Sequence, residues 1–149
     1  MENREFRLIL LALLGLCLGA CGSSKQKQCG LLTTRINAGV ARVEAFDKER
    51  LARPEGGHSQ TAQAMRQMAT LYRELSQEVR GLELSDRELK NLAEDYQFEV
   101  RSASSAAETL AAALEGGRQE QAMTADQLYA KHLGNQKKVL EKINGFCTP

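Results

Sequence analysis

Leu84-Ser85-Asp86-Arg87-Glu88-Leu89 is the stretch whose reading decides the fold. Ser85 followed three residues later by Glu88 is a capping-box pattern. The serine oxygen accepts an amide hydrogen bond from the first helical turn, and the glutamate reaches back to the serine amide. Leu84 before the cap and Leu89 in the first turn match the hydrophobic staple that sets the angle at which a chain enters a helix. Downstream, Leu89, Leu92, Tyr96, Val100, Ala103, Ala107, Leu110 and Leu114 recur three or four residues apart as far as Gly116-Gly117, the apolar stripe of one long helix. At about 1.5 Å per residue, a helix over 86–115 spans roughly 45 Å. Alanines at positions 103, 106, 107, 111, 112 and 113 make its second half thin, so a neighbouring helix can approach closely there.

Similar stripes lie on both sides of it. Met65, Met68, Tyr72, Leu75, Val79 and Leu82 alternate three and four residues apart and predict a helix over 59–80 that packs at a shallow angle. Gly81 then supplies a residue that tolerates the left-handed conformation ending many helices. Earlier still, Leu32, Ile36, Val40, Val43 and Phe46 mark one face of a helix over 29–51, which Arg53-Pro54-Glu55-Gly56-Gly57 stops. On the C-terminal side, Ala122, Ala125, Tyr129, Leu133, Gln136, Leu140, Ile143 and Cys147 trace a last stripe. Thr124 with Gln127 offers a second capping box, so this helix starts at either Arg118 or Ala125, and Gly145 ends it. Lys137, Lys138 and Lys142 sit in its final turns, where positive charge favours the helix dipole. Four amphipathic helices joined by short connections run antiparallel to their neighbours. The expected architecture is all-α, an up-down-up-down four-helix bundle. An even number of helices returns the chain to its starting end. The connection over 82–85 belongs to that end, and those over 53–58 and 116–118 belong to the other.

Residues 1–20 read differently. Arg4 and Arg7 precede an uninterrupted apolar run from Leu8 to Leu18, too short to cross a bilayer as a helix, which takes about 20 residues. This is the pattern of a cleaved secretory signal. Its end, Leu18-Gly19-Ala20-Cys21, resembles the lipobox of bacterial lipoproteins, with an aliphatic residue three places before a cysteine and small residues between. The resemblance implies cleavage between Ala20 and Cys21 and lipid attachment to the Cys21 thiol. Glu2 and Glu5 depart from the pattern by offsetting the basic front region. Bacterial lipoproteins resemble one another in carrying three acyl chains, and two or more chains hold a protein stably. The whole chain also resembles small uncharacterised bacterial lipoproteins in which an alanine-rich helical bundle lies between two terminal cysteines. That likeness is one of layout and implies no activity. The expected organisation is a signal peptide over 1–20, the lipidated cysteine and a flexible, wholly polar tether over 21–28, and the bundle over 29–149. Gly22 is not the aspartate that retains enterobacterial lipoproteins in the inner membrane, so the outer membrane is the expected location, with the domain in the periplasm or at the cell surface.

Export also sorts the cysteines. Cys17 leaves with the signal, Cys21 takes the lipid, and Cys29 and Cys147 remain in an oxidising compartment, where two leftover thiols form a disulfide. The bundle geometry agrees independently, because it brings the start of the first helix beside the end of the last. In the chain-entropy model a bond closing so long a loop stabilises by about 4 to 5 kcal/mol, less where its geometry is strained.

Composition narrows the function further. The net charge is +1, and losing the signal leaves it unchanged because that segment carries two basic and two acidic residues. There is no basic stripe for nucleic acid. His58 lies in a glycine-rich turn and His132 late in the last helix. His132 has no acidic residue three places before it, as a di-iron bundle requires, and Glu55, three places before His58, lies with it in the turn rather than on a helix. No Cys-x-x-Cys-His haem signature occurs. Met65 and Met68 carry the thioethers of a soft-metal pair, but both lie on the core stripe. Tyr72, Tyr96 and Tyr129 lie on stripes as well, as core residues or as the lining of a pocket between helices. The acids Glu94, Asp95, Glu99 and Glu108 read as helix-surface groups, and Ser102, Ser104 and Ser105 have no histidine beside them. Gly56-Gly57 and Gly116-Gly117 lack the lysine and strand of a phosphate loop. The expectation is therefore a non-enzymatic, cofactor-free envelope protein whose bundle serves as an interaction or structural module. It is bound to the membrane through Cys21 and presents the turns around Arg53, Glu55, His58 and Arg118 to an envelope protein partner. The alternative is a periplasmic carrier holding a small apolar ligand or metal between its helices.

Overall fold

The computed structural model describes residues 3–52 and 57–148, with side chains from residue 24 onward. Four helices follow one another, α1 (Asn3–Leu51), α2 (His58–Arg80), α3 (Arg87–Glu115) and α4 (Gln119–Cys147), and no strand occurs among the described residues. Together they form the expected helical bundle. The thin, alanine-rich α3 is its centre and packs along both α2 and α4, while α1 lies against α2 and meets α4 at few positions. Ala103, Ala106, Ala107, Ala111 and Ala113 are buried, as are small residues such as Ala62 and Ala69 on α2 and Ala122 and Ala125 on α4. Close approach there lets the Ser104 hydroxyl of α3 donate to the Ala69 carbonyl of α2 at 2.7 Å.

The stripes fill the core as their spacing requires. Leu32 and Ile36 of α1 join Met68, Tyr72, Leu75 and Val79 of α2, Leu89, Tyr96 and Val100 of α3, and Val139 and Ile143 of α4. A second, smaller cluster of Leu110, Ala113, Ala122 and Ala125, flanked by Met65 and Leu114, closes the far end. Gly39 sets the spacing of α1 on α2, because a Cβ there would overlap the Leu75 side chain. Beside that contact Arg42 of α1 pairs with Glu78 of α2 at 2.7 Å.

Cys29 and Cys147 are bonded as a disulfide with Cα atoms 5.6 Å apart, so the start and the end of the bundle lie side by side. The turn between α2 and α3 shares that end, since the Gln28 side chain hydrogen-bonds Ser85 and Asp86.

Several boundaries differ from those the sequence predicts. Residues 24–28, expected as a flexible tether, are helical and continuous with α1. The segment contains no proline or glycine, and lysine and glutamine are good helix formers. Its lack of apolar residues hid the polar docking it makes. The cap of α3 is Asp86, whose Oδ1 accepts from the Leu89 amide at 2.9 Å, and not Ser85. The Ser85 amide that Glu88 was expected to satisfy donates instead to Gln28 Oε1 at 2.7 Å. Leu84 and Leu89 still pack into the same core cluster. Gly81 ends α2 in a right-handed conformation, and the glycine that needs the left-handed region is Gly117, with φ of 64°. There the Arg118 amide bonds the Ala113 carbonyl at 2.9 Å and the Gly117 amide bonds the Leu114 carbonyl at 3.2 Å, which is a Schellman turn. α4 begins one residue past Arg118 and runs through Gly145 to Cys147. The Thr124 hydroxyl, expected as an alternative cap, donates backwards to the Glu120 carbonyl at 3.0 Å.

Candidate functional site

The end of the bundle away from the disulfide carries a half-open cleft of ≈ 410 Å³. It is assembled where three helix ends meet. Leu110, Ala113 and Leu114 come from the last turns of α3, His58 opens α2, and Arg118, Gln119, Ala122, Met123 and Asp126 come from the start of α4. The floor is apolar because the second core cluster stops short of covering itself, and Met123 at its margin is 57% exposed. The rim is polar, with His58 and Gln119, and carries both signs of charge, Arg118 against Asp126.

Of the expected partner-facing residues, His58 and Arg118 thus line one cleft, although they belong to two different turns of the chain. Arg53 and Glu55 lie outside the described residues, as does the side chain of Cys21. Arg118 has a structural task as well. Its guanidinium donates to the Ala112 carbonyl at 3.1 Å, placing positive charge on the C-terminal end of α3, and Gly116 leaves the room it needs.

The tyrosines are core residues. Tyr96 is fully buried and its hydroxyl accepts from Gln136 Nε2 at 2.8 Å. Tyr72 and Tyr129 pack edge to face with ring centroids 6.2 Å apart. Burial pushes the Tyr96 phenol up to about 12, and burial likewise raises Tyr72 and Tyr129. All three therefore stay neutral under ordinary conditions. Met68 is buried among the same residues, and Met65 packs on the second cluster.

One polar constellation was not foreseen. Glu99 of α3 accepts from His132 of α4, with Nδ1 and Oε2 2.7 Å apart, and Asn135 Nδ2 lies 3.3 Å from the other carboxylate oxygen. All three are half-buried in the seam between the helices. Their separation in sequence concealed them, and the only available signal was the i, i+3 spacing of His132 and Asn135, which puts both on one helical face. Elsewhere two acids of α3 pair with arginines of α2, Glu108 with Arg73 and Glu115 with Arg66 at 2.5 Å. The Arg66 pairing holds the Glu115 carboxyl below its usual range. Among the described residues no group of three or more His, Cys, Asp or Glu side chains is placed to hold a metal ion, and no helix is long and apolar enough to cross a membrane.

Compared with known proteins, the chain matches no family model, and no curated protein or solved structure is significantly similar to it.

Proposed function

We propose that this chain is a lipid-anchored protein of the bacterial cell envelope, attached at Cys21, whose helical bundle is a non-enzymatic interaction module. The observation that carries the reading is the cleft at the end away from the disulfide, where His58, Arg118 and Asp126 ring an apolar floor edged by the exposed Met123. A protruding apolar side chain of an envelope protein, flanked by charges, suits such a surface. Of the four α3 acids that catalysis would draw on, Glu108 pairs with Arg73 and Glu99 with His132 across the bundle, while Glu94 and Asp95 are exposed at the surface. The lipobox supports anchoring, and the Cys29–Cys147 bond is in keeping with an oxidising compartment.

Crosslinking in intact envelopes tests the module. A photo-crosslinker at position 123 captures a discrete partner if the reading is right, and Arg118→Glu abolishes the product. Absence of any product from position 123, with the protein present at normal levels, refutes it. The anchor is tested separately, because Cys21→Ser protein should lose palmitate incorporation and leave the membrane fraction. The same cleft also fits a second reading, a carrier of a small apolar molecule, because its volume lies within the range of small-molecule sites. Mass spectrometry of protein purified under native conditions separates the two, since a carrier brings a bound small molecule that Leu114→Arg displaces.

A further inference from the structure

The first residues of α1 with described side chains are fastened to the base of the bundle by three independent contacts. Gln28 Oε1 accepts from the amides of Ser85 and Asp86 at 2.7 and 3.0 Å, and its Nε2 donates to the Ser85 hydroxyl at 2.9 Å. One turn earlier, Lys25 Nζ stands 3.7 Å from the centre of the Phe146 ring at the end of α4. The Cys29–Cys147 bond joins the same two helices immediately alongside. Together they grip the entering chain from the α2–α3 turn and from α4 at once.

We propose that residues 25–28 are a docked pedestal that seats the disulfide end of the bundle on the membrane surface and points the cleft away from it at a fixed height. The proposal rests on lipid attachment at Cys21. Only four residue steps separate Cys21 from the docked Lys25. Even fully extended they reach about 14 Å, and as helix about 6 Å. A bilayer holding Cys21 therefore lies directly under the α2–α3 turn. The charge there suits anionic headgroups, because the exposed Lys27, Arg80, Arg87 and Lys90 outnumber the exposed Glu83 and Glu88. With 29 residues in α3, the cleft stands roughly 43 Å beyond the base. A flexible tether would instead leave the cleft free to sweep all orientations.

The test uses the full lipidated chain in vesicles of phosphatidylcholine with phosphatidylglycerol, carrying an energy-transfer acceptor on the headgroups. A donor at position 87 (Arg87→Cys) should transfer strongly, and one at position 119 (Gln119→Cys) weakly. In the Lys25→Ala, Gln28→Ala background the two should converge. Equal transfer from both donors in the otherwise unaltered chain overturns the pedestal, while failure of the protein to float with the vesicles overturns the anchor. A second measurement does not depend on lipid. In Cys21→Ser protein, amide exchange over residues 26–29 should be slow and should accelerate about tenfold in Gln28→Ala, which removes the three hydrogen bonds to Ser85 and Asp86. Exchange already at the rate of an open chain in Cys21→Ser protein also overturns the proposal.

Discussion

Asp86 and Ser85 stand side by side at the start of α3, and only one of them caps it. Asp86 Oδ1 takes the Leu89 amide, whereas the Ser85 hydroxyl accepts from Gln28. Asp86→Ala should therefore cost about 1 kcal/mol, the usual value of an N-cap, with a smaller loss for Ser85→Ala. Urea denaturation of the two variants checks the order, and the reverse order would restore the serine cap that the sequence pattern suggests. The tyrosines yield a second expectation at this scale. Burial raises the phenol pKa values in the folded state above the unfolded value near 10, so the stability they contribute is complete below about pH 10 and is lost as pH climbs through the folded value. For Tyr96 that folded value is about 12. Phenolate absorbance should thus lag behind that of free tyrosine and rise together with loss of helical circular dichroism. A titration centred near the ordinary tyrosine value with the fold intact would show the rings to be solvated.

Among the elements, α1 is the least like its neighbours. α2, α3 and α4 interlock through small residues, but α1 reaches the core mainly through Leu32 and Ile36, while Val40, Val43 and Phe46 further along are only partly buried. Its approach to α2 depends on Gly39. Alanine in place of a glycine within a helix ordinarily stabilises by about 0.5–1 kcal/mol. Here the added Cβ would overlap the fully buried Leu75, and overpacking of this kind costs about 1–3 kcal/mol. Gly39→Ala should lower stability by about 1 kcal/mol net, with Leu75→Ala in the same chain recovering part of the loss in a double-mutant cycle. A more stable Gly39→Ala protein would mean that α1 shifts freely on α2.

For the whole molecule, the disulfide completes what packing leaves slight, the junction of α1 with α4. Its bond closes a separation of 118 residues, worth about 5 kcal/mol through the unfolded chain. A Cys29→Ser, Cys147→Ser double variant should lose several kcal/mol. Amide exchange should quicken in α1 before α3, since α1 shares the least surface with the rest. Uniform quickening in all four helices would indicate a single cooperative unit in which α1 has no separate weakness. On electrophoresis the oxidised protein should run ahead of the reduced form.

What the sequence by itself determined is periodic or pairwise by elimination. Apolar residues three and four apart dictate helices and their inward faces, glycine and proline mark the interruptions, and an even number of helices brings Cys29 to Cys147. These follow from local geometry that every α-helix shares. What only the tertiary structure decided involves groups whose partners lie on other helices. Gln28 reads as one more polar linker residue until the α2–α3 turn is set beside it, and Glu99 reads as a solvated acid until His132 is brought to 2.7 Å. That His58 and Arg118 share an end follows from the helix count, but the apolar-floored cleft they line exists only once the ends of α2, α3 and α4 are packed together. The reason is physical. A hydrophobic stripe needs any apolar neighbour and so declares itself in isolation, whereas a hydrogen bond needs a particular atom at a particular distance, which exists only once the helices have been placed.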